Sequence, residues 1–108
     1  MSVEFIYEKN TLTAVVSGEI DHHSAAETRI MTDGELSRTM PRTLIFDMKG
    51  VTFMDSSGVG LILGRAREMQ PWGGKVMISE PSARAEKILK LSGLGSMIIK
   101  KAGKDQNA

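Results

Sequence analysis

An α/β fold, built on a mixed and mostly parallel β-sheet entered through an N-terminal hairpin and flanked by helices, is predicted by three features of this sequence. Val3, Phe5 and Tyr7 alternate with polar residues, as do Leu12, Ala14 and Val16 after the polar connection Glu8-Lys9-Asn10; period-two alternation on both sides of a short turn is the signature of a hairpin with one face on a core. Further on, short apolar runs alternate with segments of helical character, as strand–helix–strand units of a parallel sheet do. Finally, 108 residues suit a single domain. Residues 1–100 are expected to form it, with 101–108 as a polar C-terminal tail.

The elements follow in the order β-β-α-β-α-β-α-β. After the hairpin, Gly18-Glu19-Ile20-Asp21-His22-His23 reads as a polar loop, and Ser24 with Glu27 three residues on reads as a capping box for the first helix. That helix is expected to run to about Thr39, with Ala26, Ile30 and Leu36 among its buried positions, until Pro41 forbids continuation. Thr43-Leu44-Ile45-Phe46-Asp47-Met48 reads as a strand covered on both faces, followed by a loop. Asp55 caps a second helix that extends to about Gln70, and Pro71-Trp72-Gly73-Gly74 breaks the chain. Lys75-Val76-Met77-Ile78-Ser79 is a further buried strand. Ser82 caps a third helix to about Leu91, Gly93 occupies a left-handed C-cap, and Met97-Ile98-Ile99 supplies a last short strand.

Composition excludes several functions. Fourteen Lys and Arg against thirteen Asp and Glu leave a net charge of +1, too little to drive nucleic-acid binding by phosphate neutralisation. The absence of cysteine removes disulfides, thiolate nucleophiles and Cys-based metal sites. No apolar run approaches the roughly 18 residues of a membrane span, and MSVEFIYEKN lacks the basic flank and apolar core of a signal peptide. A cytoplasmic protein is expected.

The informative segment is Phe53-Met54-Asp55-Ser56-Ser57-Gly58-Val59-Gly60-Leu61-Ile62-Leu63-Gly64-Arg65. With Asp55 as N-cap, Val59, Ile62, Leu63, Ala66 and Met69 fall on one buried stripe, leaving Ser57, Gly60, Leu61, Gly64, Arg65 and Glu68 on the other. Two helical glycines each cost about 1 kcal/mol of propensity relative to alanine, so a plain solvent face would carry Lys or Glu there. Glycines beside an outward Leu61 make a low apolar docking face with Ser57 at its edge. Ser57, in the first helical turn, is also placed to carry a phosphate, which backbone donors and the helix dipole favour. On residue types alone the plainer reading, Asp55-Ser56-Ser57 as a helix cap with small neighbours, stands ahead.

The same residues resemble the phosphorylation motif of STAS domains, the family named for sulfate transporters and anti-sigma factor antagonists. The resemblance covers nearly the whole chain and includes Gly18 to His23, Phe53 to Arg65 and Leu91-Ser92-Gly93-Leu94; it is strongest to the stage II sporulation antagonists. It implies a binding module and not an enzyme: an anti-sigma factor antagonist that binds an anti-sigma factor serine kinase and so frees the sigma factor. It implies phosphorylation at Ser57 as the release step, reversal by a PP2C-type phosphatase, and Asp55, Ser56 and Gly58 as the surroundings of the phosphosite. Glu19 and Asp21 are implied to lie beside Ser57 and to share the partner surface with Gly60, Leu61, Gly64 and Arg65. Members of the family usually end in an additional helix, which the polar residues after Lys100 suggest is very short or absent here. No cofactor is implied, and a monomer is expected.

Other readings are weaker. A general-stress antagonist or another STAS regulatory module would use the same mechanism. A small nucleotide-binding domain using Gly58, Gly60 and Glu80 would need the first glycine directly after a strand and a third one residue earlier than Gly64. His22 and His23 lack the third ligand of a metal site and read as solvated loop residues. No nucleophile elbow surrounds Ser56 or Ser57.

Overall fold

Lys9 and Asn10 (φ 53° and 63°) both adopt left-handed backbone, the geometry of a two-residue type I′ turn whose twist matches that of the strands it joins. The turn links β1 (Ser2–Glu8) to β2 (Thr11–Ile20) in antiparallel register, with Val3 opposite Val16 and Phe5 opposite Ala14. The computed structural model describes residues 1–100. Beyond the hairpin come α1 (His22–Thr39), β3 (Thr43–Met54), α2 (Ser56–Met69), β4 (Lys75–Ser79), α3 (Ala83–Leu91) and β5 (Ile98–Lys100). The β-β-α-β-α-β-α-β order of the sequence reading is therefore the observed one.

The sheet has spatial order β1-β2-β3-β4-β5, and every pairing after the hairpin is parallel. Right-handed crossovers that all step in one direction place their helices on one face of a sheet. Burial follows that rule. Leu12, Ala14, Val16, Leu44, Phe46, Met48, Val76 and Ile78 are buried on the helix-bearing face. On the opposite face Thr13, Ile45 and Met77, neighbours across three strands, are only half-buried, and Ile6 is exposed. Coverage of β3 on both faces, expected from its apolar run, is thus corrected: among the described residues the face carrying Leu44, Phe46 and Met48 is buried, and Ile45 on the other face is only half-buried.

Two strands are longer than their composition suggests. β2 runs to Ile20 and β3 to Met54, with Gly18 opposite Val51 and Ile20 opposite Met54. The loop expected at Gly18–His23 is strand to Ile20 and helix from His22, and the one expected after Met48 is strand as far as Met54. Irregular register around Gly18 (φ 86°) is the reason: a bulge interrupts the alternation that marks a strand in sequence, while the ladder continues.

The first helix also starts earlier. Its N-cap is Asp21, whose Oδ1 accepts the Ser24 N–H at 2.9 Å, while Ser24 Oγ accepts the Asp21 N–H at 2.9 Å. Ser24 is therefore the returning partner of a reciprocal cap, not the cap itself, and Glu27 is exposed outside it. The buried face of α1 is Ser24, Ala25, Thr28, Thr32 and Leu36. Ala26 is half-buried and Ile30, expected inside, is 64% exposed. Threonine can occupy the buried line because its hydroxyl finds a partner: Thr32 Oγ1 donates to the Thr28 carbonyl at 2.7 Å, and Thr28 Oγ1 donates to the Met1 sulfur at 3.3 Å.

The other caps match the sequence reading. Ser82 Oγ accepts the Ala85 N–H at 3.1 Å. At the far end of α3, Gly93 (φ 86°) lets its N–H reach the Lys90 carbonyl and the Leu94 N–H reach that of Leu89; this is a Schellman closure, with Leu94 and Leu89 both buried beneath it. Trp72 covers a core edge and donates Nε1–H to the Pro41 carbonyl at 2.8 Å. No helix among the described residues is long and apolar enough to cross a membrane. The proposed tail at 101–108, and the question of a closing helix, lie outside the described residues.

A one-sided sheet predicts an asymmetric response to mutation. Phe46→Ala, on the covered face, is expected to lower unfolding stability by about 3–5 kcal/mol, whereas Ile6→Thr on the open face should change it by no more than about 0.5 kcal/mol. Denaturant melts of the two variants check this.

Candidate functional site: a groove between two helix starts

The neighbouring parallel strands β2 and β3 end side by side at Ile20 and Met54, and an aspartate N-cap follows each directly. The Asp55 N–H donates to the Ile20 carbonyl at 3.2 Å, which ties the two strand–helix junctions together. α1 and α2 therefore leave the sheet in parallel from adjacent points and pack on one another.

Asp55 Oδ1 accepts the Ser57 N–H at 2.8 Å, which fixes Ser57 as the second residue of α2 and leaves its hydroxyl free to point away from the cap. Gly58 has a packing reason: a Cβ there would lie 2.5 Å from the Met54 side chain. Asp21 is held ionised by the Ser24 backbone N–H first and the Ser24 hydroxyl second, with a smaller contribution from His23, so its carboxyl titrates below the ordinary aspartate range.

Between the helices lies a groove of about 390 Å³. One wall is His22, Ala25, Ala26 and Arg29 on α1, spaced i, i+3, i+4, i+7; the other is Ser57, Gly60, Leu61, Gly64 and Arg65 on α2, with the same spacing extended by one residue. Five residues predicted for the site thus share one feature. Their roles within it differ from the prediction in two cases. Leu61 (5% exposed) and Arg65 (6%) are buried, because α2 packs against α1 as well as the sheet and so buries a wider sector than a single stripe. Leu61 forms the groove floor rather than an outward projection. Arg65 Nε sits 2.8 Å from Asp33 Oδ1 on α1, close enough for a strong ion pair though poorly aligned for a hydrogen bond, and its Nη1 approaches the Leu61 carbonyl at 3.5 Å. Val59, Leu63 and Ala66, expected at the core, are half-buried.

Gly60 and Gly64 behave differently from Gly58. A Cβ added to either meets nothing within 4 Å, so neither glycine is demanded by the packing of this chain, and both only keep the groove wide. Glu19 is exposed at the end of β2 opposite Phe53, and Asp21 stands at the α1 cap; both flank the end of the groove where Ser57 lies and neither lines it. The sequence reading missed His22, Ala25, Ala26 and Arg29, although their helical spacing could have revealed them. Phe53, the first residue of the motif but given no role in the sequence reading, is 45% exposed. His22 and His23 occupy the first turn of α1 instead of a loop, with His23 Nε2 3.5 Å from Glu27; no cluster that could hold a metal occurs among the described residues.

A dinucleotide site would need a glycine loop between strand and helix. Asp55 alone separates β3 from α2, Gly58 and Gly60 lie inside the helix, and the sequential strand order contains no reversal to open a crevice.

Two outcomes follow. Gly60→Ala and Gly64→Ala should each raise stability by about 0.5–1 kcal/mol while narrowing the groove, as read from denaturant melts. The lowered Asp21 pKa contributes stability that is present above the unfolded value of about 3.9 and disappears as pH falls through the folded one. Asp21→Asn, which keeps a capping oxygen, should therefore show little change near pH 7 and a flatter loss of stability below about pH 4 than the unmodified protein.

Comparison with known proteins agrees with this architecture. The family model described as STAS domain matches residues 4–105. The anti-sigma F factor antagonist of Lysinibacillus sphaericus is 37% identical over 91 residues, 84% of this chain and 78% of that protein. The corresponding antagonist of Paenibacillus polymyxa is 31% identical over 94 residues, 87% of this chain and 80% of that one. The solved structure of the anti-sigma factor antagonist SpoIIAA in its unphosphorylated form is similar with a TM-score of 0.84 and 30% identity, covering 94% of this chain and 90% of that one. SpoIIAA in its phosphorylated form, described as a Bacillus cell fate determinant, gives 0.75 at 30% identity over 94% and 93% of the two chains. With a mixed, mostly parallel sheet, two capped helix starts and a family match over nearly its full length, the chain belongs to the STAS domain family.

Proposed function

We propose that this protein is an anti-sigma factor antagonist, a binding module whose unphosphorylated groove engages an anti-sigma factor serine kinase and thereby frees a sigma factor in the cytoplasm. Phosphorylation of Ser57 ends the engagement, and a PP2C-type phosphatase restores it. The observation that carries this reading is the position of Ser57: a half-buried residue on a groove wall that it shares with Gly60 and Gly64, two glycines that serve no packing need of the chain. Similarity to two anti-sigma F factor antagonists, and the fact that SpoIIAA has been solved both with and without phosphate, support it.

The physics of release is local. A phosphoryl group at the second position of a helix is favoured by the free amide donors and the dipole, so the fold tolerates it; likeness to both forms of SpoIIAA agrees with that. It adds about −1.5 to −2 charges. Buried without a partner in a protein–protein interface, such a charge costs on the order of 2–5 kcal/mol, or tens- to thousands-fold in affinity. Glu19, Asp21, Gly60 and Gly64 form the proposed contact surface, with Leu61 as the groove floor beneath it and Arg65 held behind it by Asp33; Asp55, Ser56 and Gly58 shape the phosphosite.

Incubation with ATP and the anti-sigma kinase of the same organism should place phosphate on Ser57 alone, as read by phosphopeptide mass spectrometry. Ser57→Ala should remain in the binding form, and Ser57→Asp should bind at least tenfold more weakly with an unchanged circular dichroism spectrum. Full-strength binding by Ser57→Asp would contradict the electrostatic basis of release, and phosphate at another residue would remove Ser57 from the mechanism.

A further inference from the structure

We propose that the α1–α2 groove contains an anion subsite for the phosphate of Ser57, with Arg29 as its cation and His22 as a neighbouring hydrogen-bonding side chain. This deepens the reading of Ser57 as the modified residue and rests on it. The groove is lined by His22, Arg29 and Arg65 and by no carboxylate. Arg65 is already matched by Asp33. Arg29 is exposed and makes no ion pair among the described residues, so its charge is available to a new anion in the groove it lines.

The surrounding charges give the phosphate a direction. Asp55 sits at the cap of α2 with Oδ1 engaged by the Ser57 N–H, and Asp21 is likewise engaged by Ser24 at the cap of α1. Both carboxylates repel a phosphate on the cap side, while His22, Arg29 and the neutralised Asp33–Arg65 pair lie along the groove. A phosphomonoester dianion on Ser57 therefore turns inward, where small walls at Ala25, Ala26, Gly60 and Gly64 leave it room. A guanidinium offers the planar, multiple donors that suit phosphate oxygens. Release then has two causes: the partner meets added charge, and the groove it uses is occupied by the chain's own phosphate.

The test uses full-length protein with phosphoserine incorporated at position 57 during translation, so that no kinase is needed. In a 31P NMR titration of the free protein, the second ionisation of the phosphate should lie about 0.5–1 pH unit lower in the otherwise unmodified chain than in Arg29→Gln. Arg29→Lys should fall between them, and 1 M salt should shrink the difference. His22→Asn should give a smaller displacement in the same direction. Superimposable titrations of the unmodified and Arg29→Gln proteins, both shown folded by circular dichroism, would overturn the subsite. Failure of the kinase to modify Ser57 would instead count against the proposed function and would leave this titration interpretable.

Discussion

The geometry of the candidate site depends on one contact, the ion pair between Asp33 on α1 and Arg65 on α2. Arg65 is almost wholly enclosed, while Asp33 keeps part of its side chain in solvent, so the pair is neither a surface bridge of negligible worth nor a fully dry one. Its value here is positional. A cation shut between two helices must keep its partner, because an enclosed charge left alone costs several kcal/mol. The pair therefore holds α1 and α2 at a fixed separation two turns beyond Ser57, at the far end of the groove. At the near end, the backbone bond from Asp55 to Ile20 performs the same service. Between these two fixed points neither helix needs bulky side chains for support, and Ala25, Ala26, Gly60 and Gly64 can leave the groove open.

This arrangement separates stability from recognition. The covered sheet face, with Phe46, Leu44 and Ile78 at its centre, supplies the packing, and the glycines of α2 divide into two kinds. Gly58 belongs to the fold, since Met54 occupies the space of its side chain; Gly60 and Gly64 belong to the groove, where nothing within the chain approaches them. A helix that forgoes propensity at two positions without any internal contact in return is most simply understood as shaped for something outside itself. The aspartate caps complete the division. They satisfy the first helical turns and also surround Ser57 with negative charge on one side only.

Much of this was legible from residues in order, and what was not has physical causes. Hairpin, helices and the order of elements along the chain followed from periodicity; the caps at Asp55 and Ser82 and the left-handed Gly93 followed from side-chain chemistry with a single geometric solution. The cap of α1 did not, because both Asp21 and Ser24 are good capping residues and only the reciprocal pair of hydrogen bonds decides between them. Threonines at 28 and 32 hid the buried face of α1, since sequence patterning counts a hydroxyl as polar even when a partner inside the fold satisfies it, the Met1 sulfur for Thr28 and the Thr28 carbonyl for Thr32. Leu61 and Arg65 were assigned outward because the stripe was drawn for a helix on a sheet. The second surface, α1, comes from tertiary packing that no spacing within α2 encodes, and with it come His22 and Arg29 across the groove.

The central claim is that the switch acts on a preformed groove in an unchanged fold. Amide hydrogen exchange, compared between the unmodified protein and protein carrying phosphoserine at position 57, tests it most directly. Equal protection is expected throughout β3, β4 and α3, with differences confined to the residues from His22 to Arg29 and from Ser57 to Arg65. Loss of protection across the central strands on phosphorylation would contradict it, because the modification would then be acting by loosening the fold and not by changing the chemistry of the groove.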